Sequence, residues 1–390
     1  MNRDRVRGRT HRTRKGRLKG LASVKVVPSQ STRDRIAHDA RDPTYASESG
    51  STPLVVCAAG SAVRFLVTGG AGFIGSHLAG RLIENGHSVH VLDDFSTGAL
   101  ANMAQLASDP AFAYTVGSAA SPGIVADLVD EADVVYHLAA AVGVELIVDS
   151  PVRTIQTNVR CTEVVLAEAT RRRKPVFVAS TSEVYGKSAD LPFRETGDLV
   201  LGPTKRGRWS YACSKALDEF LALAYWKERG LPAVVGRLFN TAGPRQAGCY
   251  GMVVPTFVRQ ALAGSAIRVY GDGTQRRCFC HVVDVVSALV DLMGTERAYG
   301  QVFNIGGTEE ITIRDLAERV REHTGSSSEI VLVPYEQAYE AGFEDVRRRV
   351  PDTSKIHALT GWTPRRGLAD IIDDVVLEQR ASSQLVESRG

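Results

Sequence analysis

The chain has 390 residues, 44% of them hydrophobic and 23% charged, with a formal net charge of +3. This is the balance of a soluble globular protein, and the length exceeds one ordinary core, so a large domain with a smaller companion is expected. The charge is concentrated in Arg3–Lys25, leaving the remainder acidic, which removes any electrostatic case for a nucleic-acid or membrane partner of the folded part. No apolar run approaches the roughly 20 residues of a membrane span, and the first residues lack the apolar segment of a secretory signal. A cytoplasmic protein is therefore the expectation.

In chain order, residues 1–62 are basic and then rich in Ser, Thr, Asp and Gly, and they read as a disordered tail. The periodic pattern begins at Val63, and valine can be the decoded remnant of an alternative start codon. A native protein whose mass began at Met1 would exclude that reading. Arg64–Thr68 predicts a strand, Phe73–Asn85 a helix closed by Gly86, and Ser88–Leu92 a second strand. Asp133–Leu138 predicts another strand, followed by helical periodicity through Thr170. Pro175–Ser180 is strand-like, Trp209–Arg229 a long helix ended by Gly230, and Pro232–Leu238 a strand. Strands alternating with helices indicate an α/β fold, a Rossmann-type doubly wound parallel sheet covered on both faces. After Gly243 the pattern is less regular and richer in turns. The expected division is a cofactor domain over 63–242, a smaller mixed α/β substrate domain mainly over 243–378, and a C-terminal tail over 379–390. The cysteines at 57, 161, 213, 249, 278 and 280 form neither a disulfide framework nor C-x-x-C pairs, so reduced thiols and no metal site are expected.

Gly69-Gly70-Ala71-Gly72-Phe73-Ile74-Gly75 follows a strand and opens a helix. Gly69, Gly72 and Gly75 permit a tight turn against a pyrophosphate, and the helix start at Phe73 and Ile74 offers free N–H groups to it. Asp93, about twenty residues on at the end of the next strand, suits the ribose hydroxyls of NAD and would repel the extra phosphate of NADP. His137-Leu138-Ala139-Ala140 follows a strand, so Leu138, Ala139 and Ala140 are expected on the nicotinamide side, with His137 a packed structural residue.

Tyr211 and Lys215 lie four apart on a predicted helix, which stacks them on one face. A phenol is a poor base at neutral pH, but a neighbouring ammonium and a bound nicotinamide cation both favour the phenolate. The same Lys can hold the nicotinamide ribose. Ser180-Thr181-Ser182-Glu183 begins just past a strand end, where parallel sheets place ligands.

Taken together, the T-G-G-x-G-x-x-G turn, S-T-S-E-V-Y-G, Y-x-x-x-K, R-L-F-N-T-A-G-P-R over Arg237–Arg245 and G-D-G-x-Q-x-R over Gly271–Arg277 resemble the NAD-dependent epimerase/dehydratase family of extended short-chain dehydrogenases, over about residues 63–378. The resemblance implies a bound NAD, a UDP-sugar substrate and a homodimer formed through the Tyr-bearing helix and its neighbour. It implies that Tyr211 takes the proton of the sugar 4-hydroxyl, that Thr181 hydrogen-bonds the same oxygen, and that a 4-keto sugar results. In dehydratases of this family an Asp-Glu pair follows the Thr; in UDP-glucuronate decarboxylases it is Ser-Glu. Ser182-Glu183 therefore points to decarboxylation of UDP-glucuronate to UDP-xylose, with Glu183 assisting proton delivery at C5 and Arg277 near the carboxylate. Gly202-Pro203, Arg208-Trp209, Arg277-Cys278-Phe279 and Gly342–Asp352 resemble decarboxylases too. A UDP-sugar 4-epimerase, including one acting on the uronic acid, remains open, because S-T-S-E can occur there. A catalytically silent nucleotide-binding protein is disfavoured by the intact Thr181, Tyr211 and Lys215. Asn240, Arg245, Arg277 and Arg349 resemble the nucleotide-diphosphate clamp, with Val254 beside it. One departure is the adenine end: where relatives carry an acidic residue near Gly117, this chain has Ser118 and Ala119.

Overall fold

The computed structural model describes residues 62–141, 150–247, 252–338 and 346–387. The expectation for the tail, up to residue 61, Cys57, Cys249 and part of the Gly342–Asp352 stretch thus fall outside the described residues.

Seven strands form one fully parallel sheet. They are β1 (Arg64–Thr68), β2 (Ser88–Asp93), β3 (Phe112–Val116), β4 (Val134–His137), β5 (Val176–Thr181), β6 (Ala233–Leu238) and β11 (Gln301–Ile305). Their order is β11-β6-β5-β4-β1-β2-β3. The apolar runs of the central strands follow from this placement, since a parallel strand is covered on both faces. One face carries α1 (Phe73–Glu84) and α6 (Val282–Met293), whose Leu78, Leu82, Val285 and Leu289 pack on Phe65, Val67 and Phe177. The other carries α2 (Pro122–Glu131), α3 (Pro151–Arg172) and α4 (Trp209–Arg229), whose Val125, Val165 and Ala222 pack on Leu66, Val135 and Val178. The strand order reverses between β1 and β4, and ligands bind outside the carboxyl ends of strands at such a switch point.

A smaller layer sits beyond those strand ends. Helices α5 (Val253–Leu262), α7 (Ile313–Thr324) and α9 (Leu368–Glu387) share a core with β8 (Ile267–Tyr270), which pairs in parallel with β13 (Ile330–Val333). A three-stranded sheet of β12 (Glu310–Thr312), β9 (Arg276–Cys278) and β14 (Arg348–Arg349) faces the cleft, and β10 (Cys280–His281) pairs with β7 (Thr241–Ala242). α8 (Ser354–Thr360) seats Ile356 in the main core.

The structure corrects the domain expectation in two respects. First, the chain after 242 does not stay in the substrate layer: α6 covers the main sheet, and β11 joins its edge beside β6 in register Gln301↔Val234. Second, 379–387 is not a tail. It is the last two turns of α9, held because Ile371, Ile372, Val375 and Val376 form a buried stripe and Gln379 donates to the Pro255 carbonyl at 2.9 Å. Strand β3 and helix α2 were not expected from the sequence. β3 sits at the sheet edge, where its burial is only partial and its apolar signal correspondingly weak.

Candidate active site

The carboxyl ends of the strands and the smaller layer enclose a cleft of about 840 Å³. Its floor begins with the glycine turn after β1. Gly69 has φ of 72°, and a Cβ there would lie 2.7 Å from the Ala139 nitrogen, so glycine is required both for the backbone and for the approach of the β4 segment. A Cβ at Gly75 would lie 2.3 Å from the Gly69 carbonyl oxygen. No side chain caps α1 at Gly72, which leaves its first-turn N–H groups to a diphosphate.

Asp93 is buried at the end of β2, its oxygens accepting from the Ala71 and Phe95 N–H groups at 2.9 and 2.8 Å. Burial raises its carboxyl above the usual range while those two donors oppose the shift. The fixed carboxylate lines the cleft where an adenosine ribose would end, and a 2′-phosphate would meet its charge. Phe73, Ile74, Leu138, Ala139 and Ala140 line the same half, as do Gly117, Ser118 and Ala119. The residues present therefore fit NAD better than NADP.

Past β5 the chain makes a short 3-10 turn over Ser182–Tyr185, with the Thr181 hydroxyl accepting from the Glu183 N–H at 3.2 Å. Thr181, Glu183, Tyr211 and Lys215 all line the cleft, together with Ser182. Tyr211 stands beside Thr181, whose hydroxyl favours its phenolate. Burial drives its phenol far above the ordinary value, the carboxylates of Glu183 and Asp218 push the same way, and Thr181 opposes them. Lys215 is buried, and its ammonium donates to Asp218 at 2.7 Å. His137 is buried beneath this group, its neutral form favoured by burial, with a pKa lowered to about 3. Its contacts are Thr68 at 2.8 Å and Thr162 at 3.1 Å, the packed role expected of it.

On the opposite wall, Arg349 of β14 pairs with Glu183 at 3.3 Å, both largely buried. Its strand is pinned from two sides. Phe193 donates its N–H to the Val350 carbonyl at 2.8 Å, and Arg349 stands in register with Arg277 on β9. Arg277 also lines the cleft and donates to the Arg276 carbonyl at 2.9 Å. Asn240 lines it as well, and donates to the Cys278 carbonyl at 3.0 Å.

Arg245 lines the cleft, its guanidinium reaching the Asn102 carbonyl at 3.2 Å and His77 of α1 at 3.0 Å. Arg349 lines it as well, beside Arg277 and against Glu183. One expected residue stands elsewhere than the sequence suggested. Val254 does not line the cleft: it is 1% exposed and packs with Phe257 and Val258 inside the small core, because α5 turns its apolar stripe inward, and Val253 and Thr256 reach the cleft instead.

Sequence reasoning missed Asp218, Glu219 and Asn158. Asn158 on α3 accepts from the Ala141 N–H at 2.7 Å and donates to Ser214 at 3.1 Å, tying the β4 loop to α4. Glu219 holds Arg237 of β6 in a buried ion pair at 2.7 Å and also accepts from Ser180. The signal for both acids was Asp218-Glu219 at three and four residues past Lys215, one helical turn on.

The family model described as GDP-mannose 4,6 dehydratase matches residues 66–375. The chain belongs to this NAD-dependent epimerase/dehydratase family. Within the family it is 42% identical over 303 residues to a UDP-N-acetyl-alpha-D-glucosaminuronate decarboxylase of Bacillus cytotoxicus, covering 77% of this chain and 92% of the relative. It is 35% identical to UDP-glucuronic acid decarboxylase 1 of Danio rerio, covering 83% and 75%. The dTDP-glucose 4,6-dehydratase of Streptomyces venezuelae, solved with NAD bound, superposes with a TM-score of 0.75 at 29% identity, covering 83% of this chain and 98% of that one.

Proposed function

We propose that this protein decarboxylates a UDP-hexuronic acid with tightly held NAD, UDP-glucuronate giving UDP-xylose, and that it accepts the 2-acetamido uronate as an alternative substrate. The observation that carries this reading is the Ser182-Glu183 step, with Glu183 ion-paired to Arg349 beside Tyr211. The names of the two relatives support the same reading, and they differ in the C2 substituent.

Bound NAD supplies the acceptor, and later the donor, of hydride at sugar C4. Gly69, Gly72, Gly75 and the start of α1 hold its diphosphate, Asp93 its adenosine ribose, and Lys215 its nicotinamide ribose. Tyr211 removes the proton of the 4-hydroxyl while Thr181 holds that oxygen. The resulting C4 ketone lies β to the carboxylate, so the C5–C6 bond breaks, carbon dioxide leaves and the electron pair moves onto the C4 oxygen. Tyr211, now protonated, donates to that oxygen. Glu183 directs the proton that C5 then takes up, with Ser182 alongside. In this reading Arg277 or its neighbour in register, Arg349, meets the departing carboxylate, while Asn240 and Arg245 serve the diphosphate.

We further propose a cytoplasmic homodimer in which α3 and α4 face their counterparts. Val152, Ile155, Leu217 and Phe220 are 65%, 42%, 48% and 66% exposed on these adjoining helices. Such apolar exposure on two packed helices suits an isologous interface. The deciding experiment feeds UDP-glucuronate, and separately its 2-acetamido analogue, to the purified protein and reads products by mass and proton NMR. Loss of carbon dioxide is expected, and its absence in Glu183→Gln assigns the acid. An isomer of unchanged mass would overturn decarboxylation in favour of 4-epimerisation.

A further inference from the structure

We propose that Asp218 is a positioning residue of this reaction: it anchors Lys215 and, by offsetting part of the ammonium's field, sets the pH at which Tyr211 becomes a base. The inference rests on the reading of Tyr211 as the base.

The geometry is specific. Lys215 and Asp218 are one turn apart on α4, their side chains 3% and 0% exposed, with Nζ 2.7 Å from Oδ2. Oδ1 of Asp218 has no hydrogen-bond partner among the described residues. Thr162 of α3 favours the Asp218 carboxylate and lies 3.1 Å from Nε2 of His137, whose Nδ1 is 2.8 Å from the Thr68 hydroxyl; Thr68 in turn accepts from the Ala139 N–H at 3.4 Å. Asp218 thus holds the ammonium beside the residues that underlie the cofactor floor.

The other charged groups around the pair are individually accounted for. His137 of β4 is neutral, and Cys161 of α3 stays a thiol because burial pushes it up to about 11. Glu219 is matched by Arg237 of β6, and Glu183 by Arg349 of β14. Arg208, just before α4, and Arg277 of β9 line the cleft as cations. Two carboxylates act on Tyr211, Glu183 first and Asp218 second, and of the two it is Asp218 whose partner is the very ammonium that must stabilise the phenolate. Paired at 2.7 Å, the two charges form a near-neutral dipole, so Tyr211 feels less of Lys215 than a bare Y-x-x-x-K pair would deliver.

The test is the pH profile of kcat/KM for decarboxylation in the holoenzyme, with NAD affinity of the stripped protein measured by titration calorimetry. In Asp218→Asn the acid limb is expected to move to lower pH by on the order of one unit, and NAD affinity to fall several-fold as Lys215 loosens. Asp218→Ser, also neutral but smaller, should move the limb the same way, and Asp218→Glu, which keeps the charge, should leave it in place. An acid limb unmoved in both neutral variants would overturn the proposal, as would folding lost in both but kept in Asp218→Glu, since either outcome makes Asp218 merely structural. Failure of the underlying reading looks different: Tyr211→Phe would then retain turnover.

Discussion

The buried pair of Glu219 and Arg237 gives a prediction whose size follows from its surroundings. Both side chains are 5% exposed, and the guanidinium donates to the carboxylate at 2.7, 3.0 and 3.2 Å while stacking 4.6 Å above the Tyr185 ring. Glu219→Met would leave an arginine charge enclosed without a counter-ion, which is destabilising by about 3–5 kcal/mol. It would also strip the Ser180 hydroxyl of its acceptor, adding about 1 kcal/mol. The double variant Glu219→Met, Arg237→Met removes the isolated charge and keeps apolar volume, so only the Ser180 loss and imperfect packing remain, about 1–2 kcal/mol. Urea unfolding of the wild type, both single variants and the double variant closes the cycle. The double should unfold later than Glu219→Met. If it unfolded at or below the sum of the singles, the two groups would not be coupled and the reasoning would fail. Because Ser180 adjoins Thr181, Glu219→Met should also lower kcat at fixed NAD occupancy, whereas Arg237→Met, which leaves the Ser180 acceptor in place, should do so less.

Three further outcomes are expected. Gly75→Ala drives a methyl into the Gly69 carbonyl at 2.3 Å, so NAD affinity by calorimetry should fall by roughly two orders of magnitude, about 3 kcal/mol; unchanged binding would remove this turn from the cofactor site. Stability should fall with acidification: burial lowers His77 to about 4 and His137 to about 3, so the unfolded chain binds up to two more protons below 6.5. The contribution is complete above that value and lost as pH falls towards the folded values, at up to about 2.7 kcal/mol per pH unit, to be read from urea midpoints between pH 7.5 and 5.5. Phe220→Glu should shift the protein to a monomer in sedimentation velocity, since it places a charge in the middle of the exposed α4 face; a dimer that survived it would move the interface elsewhere.

The legible part of the fold was the part with a strong local signal. Trp209–Arg229 is helical over the residues its periodicity predicts, and β1, β2, β5 and β6 fall within a residue of their apolar runs. These segments are buried on both faces or carry a one-sided stripe, so hydrophobic pattern and final position agree. β3 was missed because an edge strand needs little apolar surface. β11 was assigned to the wrong layer for a different reason: sequence proximity to the substrate segments says nothing about which sheet edge is free, and the edge beside β6 is decided by tertiary packing.

The site divides in the same way. Groups announced by spacing, such as the glycine turn, Asp93 and Tyr211 with Lys215, line the cleft as the pattern requires. What spacing could not supply is which charge meets which. Arg277 and Arg349 are neighbours in register, seventy-two positions apart in the chain, yet it is Arg349 whose guanidinium reaches Glu183. A motif names residue types, while the partner of each charge depends on strands that meet only after folding. The same limit hid Asp218, whose meaning lies in Lys215 and Thr162 together. In this cleft the acids behind the catalytic pair are therefore where reactivity can differ between relatives that share every motif. Comparing pH profiles across family members with and without a carboxylate three residues past the catalytic Lys would show whether that position, rather than the motif, sets the working range.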